Sequence, residues 1–227
     1  MIRRIAGVVS RPRATMAELV KRPAWMATWL VVLIGWGLCG GSLLSTAVGR
    51  QALIDEQVRV SEAFGATITD AEYAALLTQP PWWMYFTSGG RLLITPIATF
   101  LTAVAVWLVG RWEGGSATWS QALSIVVHAS VVLLLGQLIT TPLHYVRESL
   151  TSPLNLAAVL PAMDDGTVLA RFFGSLDFFV IWWCVLLAIG LAALTRRNIS
   201  RYAVALAGLY MGFAAVMAAT IAVMGGS

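Results

Sequence analysis

Five long stretches of this chain are almost uniformly apolar, and shorter polar segments separate them. They lie at residues 24–48, 85–109, 117–141, 176–194 and 202–224. Each is close to the roughly 20 residues an α-helix needs to cross a bilayer core. The first, third and fifth contain no Asp, Glu, Lys or Arg; Arg91 interrupts the second near its start, and Asp177 opens the fourth. Barrel strands would be about 10 residues long with alternating polarity, so the pattern predicts helices. The expected fold is all-α and polytopic: a five-helix membrane domain over residues 24–227, preceded by a basic amphipathic segment over 1–23.

The polar segments carry local signals. In the first, Pro12 suits the opening turn of a helix. Met16, Leu19 and Val20 then share one face, which predicts a helix lying on the inner leaflet. Arg3, Arg4, Arg11, Arg13, Lys21 and Arg22 would point toward anionic headgroups. Leu53, Gln57 and Val58 predict that the first spanning helix continues beyond the bilayer. Thr69-Asp-Ala-Glu72 reads as a capping box that opens a short helix ending before Pro80-Pro81. Pro96 would kink the second span. Gly114-Gly115 allow a tight reversal, after which Ser116 or Thr118 caps the third span. Further on, Ser152-Pro153 starts a short helix that Pro161 and the Asp-Asp-Gly at 164–166 break. Ser175 then caps the fourth span, with Asp177 in its first turn.

Composition sharpens this picture. The chain has 227 residues, 59% hydrophobic and 11% charged, against about 25% charged in a soluble domain, so its apolar surface must face lipid. The net charge of +4 is distributed unevenly. Ten of the fifteen basic residues precede the first span or lie between spans two and three or four and five, and five lie in the other segments. The positive-inside rule then places the N-terminus in the cytoplasm and the C-terminus outside. Ser45-Thr-Ala47 loosely fits a signal-peptidase site. The apolar core before it, however, starts as late as Ala24 and is about twice the usual length, so an uncleaved first span is expected. Cys39 and Cys184 have no CxxC spacing and support neither a zinc nor a redox motif. Of the basic residues only Lys21 is lysine, which suggests a GC-rich, bacterial genome. The cations are assigned to lipid headgroups rather than to nucleic acid.

Four pieces of the chain resemble the Yip1 family of membrane proteins, especially its bacterial branch. They are Arg11-Pro12-Arg13-Ala14-Thr15-Met16; Gly114-Gly115-Ser-Ala-Thr-Trp-Ser-Gln121; Phe173-Gly-Ser-Leu-Asp-Phe-Phe-Val-Ile-Trp182; and Leu186-Leu-Ala-Ile-Gly190 with the basic turn at Arg196-Arg197. The resemblance implies a five-helix fold with a cytoplasmic N-terminus, in a bacterial inner membrane. It implies trafficking factors with small-GTPase partners for the eukaryotic relatives, which have a longer N-terminal region; this chain has about 22 residues there.

Ionisable and polar groups within spans are costly and become candidate sites by default. Arg91 sits about 20 residues, or about 30 Å, from the Gly110 end of its span. Asp177 opens the fourth span on that same side. As a carboxylate in a first turn it is expected first to complement the helix dipole; the alternative is an ion pair with Arg91 that staples the two helices or frames an outer vestibule. His128 lies about 15 Å into the third span, where burial favours the neutral ring. It could bond between helices, relay protons or bind a metal. Gln137, with Ser130, Gly136 and Thr141, could line a polar seam. His144, Arg147, Glu148, Asp164 and Asp165 read as a solvated loop. Gly37 with Gly41, and Gly208 with Gly212, form small-xxx-small surfaces expected to pack helices within the chain, with dimerisation as the second use. No GxSxG, HExxH, Walker A or GxGxxG pattern occurs, and no cofactor is implied. The expected role is a non-catalytic scaffold for the bilayer, a homodimer or another membrane protein. The alternative is a channel or secondary transporter.

Overall fold

The apolar runs do form helices. A computed structural model describes residues 1–113, 116–158, 160 and 167–224, with residues 81 and 83–93 described by backbone alone. Among them are α1 (Ile2–Ser10), α2 (Pro12–Lys21), α3 (Met26–Leu44), α4 (Ala47–Ala63), α5 (Asp70–Leu77), α6 (Pro81–Trp112), α7 (Trp119–Ala129), α8 (Val131–Arg147), α9 (Val168–Gly174), α10 (Phe178–Thr195) and α11 (Ile199–Met224). The described residues form no strand; Asn155 and Asp177 make an isolated antiparallel bridge. Five segments are long and apolar enough to span a membrane: Met26–Leu44, Ile94–Trp112, Trp119–Arg147, Phe178–Thr195 and Ile199–Met224. The protein is an all-α polytopic membrane protein.

The contacts divide into two units. One takes residues 1–37, 91–136 and 179–209; the other takes 38–90, 137–178 and 210–227.

In the first unit the basic segment is two helices rather than one. Arg11 breaks them with non-helical backbone (φ −143°, ψ 60°), and Pro12 opens α2 at its first position. Gly7 lets the two lie close, because a Cβ there would stand 2.5 Å from the Thr15 hydroxyl. Their apolar face turns onto α7, leaving Val8, Met16 and Leu19 completely buried. The side chain of Gln121 adds a 2.8 Å bond to the Val20 carbonyl. Met16 and Leu19, expected to face lipid, are therefore core residues of the protein. Arg3, Arg11, Arg13, Lys21 and Arg22 stay exposed.

The third apolar run is broken at Ser130, between α7 and α8. The Ser130 hydroxyl donates to the Val126 carbonyl at 2.9 Å, a back-bond of the kind that bends helices. Thr118 rather than Ser116 caps α7, in a capping box with Gln121. Close approaches here are made at glycines other than Gly37, Gly41, Gly208 and Gly212. Gly35 receives Leu134, Gly110 receives Leu194, Gly136 receives Phe179 and Gly190 receives Ile125. Trp25, Trp29, Phe100, Trp119 and Trp107 form a chain of ring contacts at 5.8–6.5 Å. Arg111 lies 5.6 Å over Trp107. Trp25, Trp107, Arg111 and Trp119 lie near the ends of their spans, positions that suit amphipathic rings and a cation at a bilayer interface.

In the second unit the helix expected to continue from the first span stops and restarts. Thr46 donates to the Leu43 carbonyl at 2.7 Å and accepts from the Gly49 amide at 2.9 Å, capping α4. Any Cβ at Gly49 would run into the Leu43 carbonyl. The Arg50 guanidinium closes the end of α3 by donating to the Leu44 and Ser45 carbonyls. The Thr69–Glu72 capping box of α5 is present, and its amide and hydroxyl bonds hold the Glu72 carboxyl below its ordinary range. Leu44, Leu53 and Ile54 form a core with Tyr73, Leu76 and Leu150 against it. Residues 153–158 are turns, not the helix expected after Ser152-Pro153. The reversal at Gly114-Gly115, and the helix breaks at Pro161 and 164–166, lie outside the described residues, as do Asp164 and Asp165.

Candidate functional site

His128 is buried, 1% exposed, and both of its ring nitrogens are engaged. Nδ1 lies 2.8 Å from the Ser124 carbonyl. A carbonyl only accepts, so Nδ1 carries the proton and Nε2 is the acceptor. The Thr28 hydroxyl, 3.1 Å away, therefore donates to Nε2. Thr28 is 2% exposed, so the pair is a buried clasp between α3 and α7. Thr28 drew no attention in the sequence because a lone threonine in an apolar run carries no motif. The Ser124 Oγ, also buried, makes no hydrogen bond.

Three further polar residues of the third span, Ser130, Gln137 and Thr141, bond within the span itself. Thr141 donates to the Gln137 carbonyl at 2.6 Å, and the Gln137 amide nitrogen donates to Thr141 Oγ1 at 3.3 Å. Ser130 bonds back to Val126. Past Gln137, His144 Nδ1 donates to the Ser149 carbonyl at 2.8 Å.

Asp177 lies at the corner between α9 and α10, immediately before the first turn of α10 rather than within it. Ser175 closes α9 instead of capping α10. The Asp177 carboxylate accepts from Ser152 Oγ at 2.7 Å, and its amide donates to Tyr210 Oη at 2.9 Å. That hydroxyl in turn donates to the Ser175 carbonyl at 2.8 Å. Tyr210 thus ties α11 to this corner, while Ser152 and Asn155 fold the 152–158 turn onto it. The alternative, a pair with Arg91, lies outside the described residues, because the Arg91 side chain does.

Among the described residues, no close approach is made at the small-xxx-small glycines. A Cβ added at Gly37, Gly41, Gly208 or Gly212 would meet nothing within 4 Å. Gly208 and Gly212 are exposed, on a helix whose large apolar residues Val204, Leu209, Phe213 and Val216 are exposed as well. A second feature the sequence did not point out is a charge cluster. Glu113, 16% exposed, holds Arg201 at 2.7 Å and Arg197 at 3.5 Å. Its members come from two separate interhelical turns and the first turn of α11, each unremarkable alone.

A cavity of about 320 Å³ opens beside His128, with Arg4, Trp25, Thr28 and Ser120 also lining it. The Arg4 side chain, 20% exposed, is paired with Glu18 at 3.0 Å. Among the described residues no three His, Cys, Asp or Glu side chains come together as a metal site would require.

Residues 6–222 match the family model described as the Yip1 domain. The chain is also similar to "Membrane protein YknW" of Bacillus subtilis (strain 168), 26% identical over 189 residues that cover 82% of this chain and 75% of that protein. No solved structure matches. Five spans and a family match running through nearly all of them lead to one conclusion: the chain belongs to the Yip1 domain family of membrane proteins.

Proposed function

We propose that this protein is a non-catalytic, multi-pass scaffold of a bacterial inner membrane that organises lipids or a partner membrane protein around its bundle. Its N-terminus is cytoplasmic and its C-terminus outside. The observation that carries the reading is the bonding of the polar groups in the spans. His128 has both nitrogens committed to Thr28 and Ser124, and Gln137 bonds locally to Thr141. A proton relay needs a group that can exchange partners; these hold helix geometry instead. The exposed arginines of α1 and α2 suit an anionic leaflet, and the uncovered faces of α11 suit lipid, a second copy or another membrane protein.

Solute flux through proteoliposomes tests the reading. Wild type and His128→Ala should both match protein-free vesicles for monovalent ions and protons. Flux above that background in wild type, lost in His128→Ala, would establish the channel or transporter alternative.

A further inference from the structure

The cavity beside His128 has a composition that the clasp does not require. The buried Thr28–His128 pair is part of its lining. Arg4 lines it too, always charged, with a side chain 20% exposed and paired with Glu18. The Ser120 hydroxyl and the first residues of α3 complete the lining. The opening of α3 is unusual. Trp29 bonds back to the Trp25 carbonyl at 2.9 Å, which makes Trp25 the N-cap. An indole has no oxygen to offer the amides that follow, and no acid stands in the first turn. The first N–H groups of a helix have no acceptor within it, and they form the positive end of its dipole. Within one recess there are thus a fixed cation, a hydroxyl and a helix start that its own sequence does not cap. The complement is an oxyanion. Trp25 lies near the end of its span, a position that suits the depth at which headgroups lie.

We propose that this cavity binds the phosphate of an anionic lipid headgroup, with Arg4 as counter-charge and Ser120 and the opening amides of α3 as donors. The size agrees, since pockets for small ligands begin near 300 Å³. The planar fork of Arg4 can hold Glu18 and still face a phosphate oxygen. Glu18 is then a competitor for Arg4, not a component of the site. The proposal deepens the scaffold reading and rests on it, supplying the lipid class and the residues that recognise it.

The test is retention of phosphatidic acid against phosphatidylcholine by the full chain, read by native mass spectrometry and by thermal shift in nanodiscs. Wild type should prefer phosphatidic acid, and Arg4→Gln should cut that preference about fivefold, the worth of one interfacial arginine, leaving only what the exposed cations of α1 and α2 contribute. Glu18→Gln breaks the same ion pair but keeps the cation, so it should retain or strengthen the preference. Ser120→Ala, a milder change for the fold, should weaken binding about threefold. The same fall in preference in Glu18→Gln as in Arg4→Gln would overturn the proposal, since the ion pair would then matter only for structure. So would equal retention of the two lipids by wild type. Competition by millimolar inorganic phosphate would assign the cavity to a soluble phosphate and overturn the headgroup. The flux experiment separates the two readings: flux above background sinks the scaffold whatever the lipid preference, and background flux without preference sinks this cavity alone.

Discussion

At the scale of single residues, the informative cases are polar side chains whose surroundings consume their bonding capacity. His128 is the clearest. From the sequence it reads first as a strut between helices, with a relay or a ligand as the alternatives, because all three need the same imidazole in the same span. The Ser124 carbonyl on one side and the Thr28 hydroxyl on the other support the strut, and neither partner is marked in the sequence. The bond is testable. Thr28→Val and His128→Phe should each destabilise the protein by about 1–3 kcal/mol, since each leaves a buried partner unsatisfied. The double variant should cost less than the sum by about 0.6 kcal/mol, the usual coupling between side chains across membrane helices. Reversible unfolding in mixed micelles reads this directly, and strict additivity would show that the bond is not made. Asp177 teaches a related lesson. An acid at the mouth of a span suggests either a dipole partner or an ion pair, yet its described contacts hold a turn and a tyrosine in place.

At the scale of elements, packing depends on which side chain meets which glycine. Gly190 sits where Ile125 Cγ2 already is, and a β-branched side chain in a helix has little rotamer freedom with which to yield. Gly190→Ala should therefore cost about 1–3 kcal/mol. Gly208→Ala, with nothing in reach, should be neutral or up to about 1 kcal/mol stabilising through helix propensity. Steric-trap unfolding would rank the two, and equal costs would refute the packing described. The ranking inverts the one the GxxxG pattern suggests, and the reason is physical. In lipid the apolar face of a helix is equally content against a tail or a neighbour, so hydropathy locates spans without saying which face is covered. Hence all five spans were legible as apolar runs, and the Thr69 capping box was legible from its fixed spacing. The break at Ser130 was not, because a serine back-bond lies within an otherwise unbroken apolar run. The two-helix form of residues 1–21 was hidden for a different reason: the same Met16 and Leu19 face suits a membrane surface or α7, and only tertiary contact distinguishes them. The cavity was least legible of all, since Arg4, Ser120 and the start of α3 are far apart in the chain.

At the scale of the whole molecule, the spans differ greatly in enclosure. The third span is 72% buried and the fifth 11%, so the former is the structural centre and the latter offers most of its surface to surroundings. On the topology proposed above, five crossings put the chain ends in opposite compartments, and the ten-to-five division of basic residues favours the N-terminus inside. The fold adds an argument against removal of the first span. Cleavage after Ala47 would take away Val8, Met16, Leu19 and Val32, all buried, together with the Thr28 that binds His128. The remaining helices would lose part of their core and leave an unpaired imidazole within the bilayer, at a cost of several kcal/mol. An N-terminal reporter should therefore persist in the mature protein and respond only to cytoplasmic conditions, while a C-terminal one responds only outside. A fluorescent protein that matures in the cytoplasm and a phosphatase active outside it provide the two readouts. Both tags reporting the same side would mean an even number of crossings, and loss of the N-terminal tag alone would mean a cleaved first span. Either result would leave the α3–α7 clasp, and the headgroup cavity built on it, without a structural basis.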